Sequence, residues 1–138
     1  MRRRPAIAAV ATLACAVALV SVAGAGGGGG TYKGRTAQKR PVQVAVAARS
    51  VTLVRVKIRL RCLDGGVLYD DLSDFQPTDL RSRGRFSDVQ YGSTDVVHWR
   101  GRVRARSVRG KIRVKDRLRS GVTCDSGFVG FAARPAGS

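Results

Sequence analysis

The feature that most restricts this chain is an alternation of apolar and basic residues that recurs after Thr31. Only an extended strand, whose side chains point to opposite faces at a period of two, turns that rhythm into one dry and one wet surface. Val42, Val44 and Val46 share a face. Val54, Val56, Ile58 and Leu60 share another, with Arg55, Lys57, Arg59 and Arg61 opposite. Trp99, Val103 and Ala105 alternate with Arg100, Arg102, Arg104 and Arg106, and Ile112 and Val114 with Lys111, Arg113 and Lys115. No segment after Thr31 spaces apolar residues as a helix face would. The pattern predicts an all-β fold of antiparallel strands, each with one side on the core.

Turn residues punctuate the runs at Asp64-Gly65-Gly66, Gly92-Ser93, Ser107 and Ser120-Gly121. Asp-Gly and Gly-Gly supply the positive φ of tight hairpins. Strands are expected near 31–36, 41–48, 51–62, 66–75, 78–81, 84–90, 94–106, 108–115 and 121–133, with Pro77 bounding one of them. Short connections favour sequential neighbours, so the expected topology is a meander of about 8–9 strands closed into a barrel or a sandwich. Glycines recur inside the strands, at Gly34, Gly84, Gly101 and Gly110, as a strongly coiled sheet requires.

The N-terminus has a different character. Arg2, Arg3 and Arg4 precede an uncharged, mostly apolar stretch that ends in Val22-Ala23-Gly24-Ala25. Residues 1–25 read as a secretory signal peptide cleaved after Ala25, with an uncleaved anchor as the alternative. Five glycines, 26–30, then form a linker. The folded domain is expected over 31–138, and its address is secreted, periplasmic or cell-envelope. Of three cysteines, Cys15 leaves with the signal. Cys62 and Cys124 remain as an even pair in an exported chain, which predicts a disulfide tying the long central strand to the last one.

The 138 residues hold 26 Lys+Arg against 9 Asp+Glu, a formal net charge of +17. All nine acids are Asp, and Arg outnumbers Lys 21 to 5. Residues 31–61 carry nine bases and no acid, residues 62–95 three bases and seven acids, and residues 96–119 ten bases and one acid. The two basic blocks lie on the wet faces of long strands. Arg55, Lys57, Arg59, Arg61, Arg100, Arg102, Arg104, Arg106, Lys111 and Arg113 are therefore the candidate polyanion-binding residues, acting through phosphate or sulfate chemistry without sequence specificity. Aromatic residues are sparse and mostly in the inward phase, so no stacking platform for single-stranded nucleic acid is expected.

Other chemistries find few residues. His98 is the lone histidine, in the outward phase of a strand, and no Gly-x-Ser-x-Gly elbow is present. Asp70, Asp71 and Asp74 form a weak calcium candidate, or a carboxylate pair for a small Asp-dependent hydrolase. No cofactor is expected.

Tyr32-x-Gly34-x-Thr36-x-Gln38, the basic strand into Cys62, Gly84-Arg85-Phe86-Ser87 and Cys124-Asp125-Ser126-Gly127-Phe128-Val129-x-Phe131 together resemble small secreted bacterial β-rich proteins of unknown function. The resemblance spans the mature chain through structural positions and implies export and a β fold, with no catalytic residue to carry over. An eight-stranded envelope barrel such as a lysozyme inhibitor is a looser likeness. The expected function is that of a non-catalytic cell-envelope or extracellular protein contacting anionic wall polymers or lipid headgroups. A small-ligand or enzyme-inhibitor barrel is the alternative. The sequence leaves the oligomeric state open.

Overall fold

A computed structural model describes residues 29–137. The signal segment, Cys15 and the first glycines of the linker lie outside the described residues. The strands are β1 (Gly30–Thr36), β2 (Pro41–Val46), β3 (Ser50–Cys62), β4 (Val67–Ser73), β5 (Thr78–Asp79), β6 (Arg85–Tyr91), β7 (Asp95–Arg104), β8 (Ser107–Arg117), β9 (Thr123–Asp125) and β10 (Val129–Pro135). Gly30, expected in the linker, already pairs with Val46. A single 3-10 turn spans Ser82–Gly84.

All pairings are antiparallel. They close a six-stranded barrel in the order β1-β2-β3-β9-β8-β10 and back to β1. The closure decides for a barrel over a sandwich. On the far edge of β3 lie β4 and β5, and on the far edge of β8 lie β7 and then β6. The chain is thus two meanders, β1–β4 and β6–β9, rather than one, with β10 inserted between β1 and β8. Tyr32, Leu53, Ile58, Leu60, Trp99 and Ile112 are among the fully buried side chains that fill the interior. Trp99 packs against Phe86 and Phe131, with ring centroids 4.5 and 6.5 Å away. Its indole N–H donates to Thr78 Oγ1 at 3.1 Å, and that hydroxyl donates to Asp88 at 3.0 Å, so the indole and the Thr78 hydroxyl are both satisfied.

Two expectations about individual strands also needed correction. First, Val54 does not share the inward face with Val56, Ile58 and Leu60. The β2–β3 register shifts between Gln43 and Val44, so that Arg55 faces Gln43 but Leu53 faces Val44. Val54 is the extra residue of a bulge, and both Leu53 and Val56 point inward around it. Second, the run 121–133 is two strands. Gly127, at φ 64, breaks it after Asp125. β9 then serves β3 and β8, while β10 serves β8 and β1.

Glycines permit the coiling. Gly101 of β7 and Gly110 of β8 are directly paired, and a Cβ on either would collide with the facing backbone. The Gly34 Cα lies so close to the Ala132 carbonyl that any side chain would displace β10 from β1.

Cys62 and Cys124 are directly opposed and disulfide-bonded, 62 residues apart in sequence. The bond joins β3 to β9 rather than to the last strand. Closing a loop of this length restricts the unfolded chain by about 4 kcal/mol in the chain-entropy model. Reduction, or Cys62→Ser with Cys124→Ser, is expected to lower unfolding stability by about 2–4 kcal/mol, read from the urea midpoint with and without reductant.

Candidate anion-binding face

The ladders place the outward residues of β6, β7 and β8 in rows. Arg85, Arg102 and Arg109 form one row, Ser87, Arg100 and Lys111 the next, and Val89, His98 and Arg113 the third. The face runs on through β10 to β1. Arg109 stands opposite Ala132, and Ala132 opposite Arg35. Arg134 stands opposite Lys33. Neighbouring strands are about 4.8 Å apart, so three guanidinium-bearing positions cross the sheet at that spacing. Arg81, Arg85, Ser87, Arg100, Arg102 and Lys111 line an open groove of about 640 Å³ that contains no acid. Lys33, Arg106, Arg109 and Arg134 line a second depression of about 930 Å³.

Among the sequence candidates, the structure brings Arg100, Arg102, Lys111 and Arg113 onto this face. Arg104 lies at its end, opposite Ser107, and Arg106 lies in the β7–β8 turn. Arg55, Lys57, Arg59 and Arg61 do not join them. They lie on the outer side of β3, where β4 sets Asp71 opposite Lys57 and Tyr69 opposite Arg59. The Arg55 Nε donates to Asp71 Oδ1 at 2.7 Å, and the second guanidinium nitrogen pairs with the other oxygen. Between β3 and β8 stands Asp125 of β9, opposite both Arg61 and Lys115. An acid therefore separates two basic surfaces where sequence periodicity allowed one.

Asp125 is also the anchor for Arg113, whose Nε donates to it at 3.0 Å. Among the described residues, Arg55–Asp71 and Arg113–Asp125 are the ion pairs. The Arg113 hydrogen bond holds the Asp125 carboxyl below its usual range, aided by the Gly127 N–H. Arg85, Arg102, Arg109 and Lys111 have no such partner among the described residues.

The structure adds residues that the sequence reading missed. Arg81, Arg85 and Arg109 belong to the groove face or its rows, although the first two fall in the acid-rich segment. Phe128 is 45% exposed, with the Arg100 guanidinium 4.7 Å and the Arg113 guanidinium 5.7 Å from its ring centroid. These are cation–π distances. The sequence signal for Phe128 was Asp125-Ser126-Gly127, an Asx turn in which Asp125 Oδ1 accepts from Gly127 N at 2.8 Å. The exposed Tyr69 is likewise covered by Arg40, at 4.3 Å.

The calcium candidate does not assemble. Adjacent strand residues face opposite ways, so Asp71 points out to Arg55 while Asp70 points toward β8. Asp74 lies past the end of β4, at φ 65. Among the described residues, no three His, Cys, Asp or Glu side chains group to hold a metal. His98 stands opposite Val89 and Arg113. No protein-family model, curated protein or solved structure matches the chain.

Asp70 instead lies beside Asp116 of β8, and Asp70 Oδ2 and Asp116 Oδ1 are buried with no hydrogen-bond partner. Burial, then the nearby carboxylate of Asp116, then the charge of Asp95, push the Asp70 carboxyl from 3.8 up to about 6. The folded chain therefore holds this proton more tightly than the unfolded chain. Asp70 favours folding most below about pH 4, and that contribution fades as pH rises through about 6. Asp71 and Asp125, held low by their arginines, act in the opposite sense, losing their contribution only as pH falls below the ordinary carboxylate range. Asp70→Asn is expected to raise stability at pH 7.5 by on the order of 1 kcal/mol, after discounting for solvent around a half-buried group. It should also flatten the dependence between pH 4 and 6, as followed by urea titration across that range.

Proposed function

We propose that this is an exported, non-catalytic cell-envelope or extracellular protein that binds anionic polymers through the β1-β10-β8-β7-β6 face. The observation that carries the reading is the Arg85–Arg102–Arg109 row beside the acid-free groove. Like charges directly opposite on neighbouring strands weaken a sheet. A row of three with no local acid is a surface whose repulsion an external anion relieves. Guanidinium groups grip phosphate or sulfate in bidentate fashion, while Ser87 and Lys111 add donors in the same groove. Teichoic-type wall polymers and other repeating phosphate or sulfate esters fit this chemistry, and nothing in it reads a base sequence. Export is supported by the signal-like residues 1–25 and agrees with the Cys62–Cys124 bond.

The test compares two charge-matched triple variants on immobilised heparin or polyphosphate. Arg85→Gln with Arg102→Gln and Arg109→Gln should elute at clearly lower salt than Arg55→Gln with Arg59→Gln and Arg61→Gln. It should also lower the slope of log affinity against log salt by about 2–3. Equal elution of the two variants would show that total charge, not this face, governs binding. Arg102→Gln alone should weaken binding and yet raise stability by about 0.2–1 kcal/mol, because it removes the central repulsion. Thermal unfolding in low salt reads that gain.

A further inference from the structure

At one end of the barrel three hairpins stand side by side. The strands run β4-β3-β9-β8-β7-β6 across the sheet, and at this end the β3–β4, β8–β9 and β6–β7 turns join them in pairs. Backbone hydrogen bonds tie the hairpins together. Leu63 N donates to Thr123 O at 3.0 Å, and Arg117 N donates to Thr94 O at 3.0 Å. The rim is a connected row, not three independent loops.

Two hairpin ends present apolar side chains that the fold does not use. Leu63 is 88% exposed and Tyr91 is 78% exposed, the two highest values among the exposed large hydrophobic residues described. The turn at Leu63 is held by other groups. Gly65 N donates to Cys62 O at 3.0 Å, and the Asp64 carboxylate accepts from Gly66 N at 2.9 Å. Nothing in that geometry calls for a leucine. Val67, also exposed, lies behind it opposite Arg61. The hairpin between the two tips carries Arg117 and Arg119, both exposed, and Arg61 is exposed at the foot of the first.

We propose that this rim seats on an anionic lipid surface. Leu63 and Tyr91 enter the boundary between headgroups and acyl chains, and Arg61, Arg117 and Arg119 meet lipid phosphates. Single exposed apolar residues are ordinary. These two are held at matching ends of one hydrogen-bonded rim with cations between them. Separate protruding tips bury little area against a rigid protein partner, whereas a fluid interface closes around each. A tyrosine ring suits the headgroup level, and arginine stems lie along apolar surface while their charge reaches phosphate. Positive charge selects an anionic bilayer over a zwitterionic one. The rim lies at the strand ends and the groove on the sheet face, so this inference stands apart from the polymer-binding reading.

The barrel, its core and its disulfide all lie within β1–β10, so the chain from Gly26 suffices for the test. Its partitioning is measured by sedimentation with vesicles of phosphatidylglycerol and phosphatidylcholine. Leu63→Ser with Tyr91→Ser keeps every charge and removes no buried contact, so its melting temperature should match the wild type. Partitioning is expected to fall about tenfold or more, while elution from polyphosphate is unchanged. A wild-type chain that stays in solution, or a double variant that partitions like the wild type, overturns the proposal. So does concentration-dependent dimerisation in light scattering that the double variant abolishes without any vesicle binding, which assigns the rim to a second copy of the chain.

Discussion

The barrel depends on how its two meanders are joined, and one of the two seams is very short. β10 makes the long seam, pairing five residues with β1 and five with β8. β9 makes the other with three residues, and only Arg61↔Asp125 and Cys62↔Cys124 register it against β3. So few ladder bonds hold a strand weakly, and the covalent bond sits at this position. Three consequences follow from the one junction. The ring closes, the three hairpins of the rim are held level, and Asp125 is fixed between β3 and β8. The junction thus sets the boundary between the two basic surfaces.

Acid placement explains the charge pattern better than acid scarcity does. Asp88 accepts from Thr78, which in turn accepts from the Trp99 indole. Asp64 closes the β3–β4 turn. Asp71 neutralises Arg55 on the outer face of β3, and Asp125 pins Arg113 while shaping the turn before Phe128. Asp70 and Asp116 face each other behind β4 and β8. These acids serve turns, buried polar contacts and the β3 surface. None lines the groove between β6, β7 and β8.

Much of the fold was legible because period-2 alternation is a direct consequence of strand geometry. Nearly every strand could be read from it, while the turn glycines and the cysteine pair followed from turn chemistry and cysteine count. The failures share one cause: alternation carries no information about insertions or partners. Val54 looks like an inward residue until the β2 register shows a bulge. The run 121–133 reads as one strand until β9 and β10 are seen to serve different neighbours. The face itself was only half legible. Arg100, Arg102 and Lys111 were readable as outward, but their union with Arg85 is a matter of register between strands. The same register excludes Arg55 and Arg59, whose local pattern is identical.

The Arg85–Arg102–Arg109 row poses a question that fold stability alone leaves without an answer. Each cross-strand like-charge pair works against the sheet, and the neighbouring Gly101–Gly110 pair contributes no side-chain packing to offset it. Sequences relieve such a row easily, by placing an acid at one of its positions, as Asp125 does beside Arg61 and Lys115. On β6, the acid nearest the row, Asp88, is turned inward to Thr78 instead. The proposed anion binding would relieve this repulsion, since the acids nearby are committed elsewhere. On that proposal the groove, whose walls come from three strands, would present Arg85, Arg100, Arg102 and Lys111 together to one anion, while Arg109 of the row stands outside it.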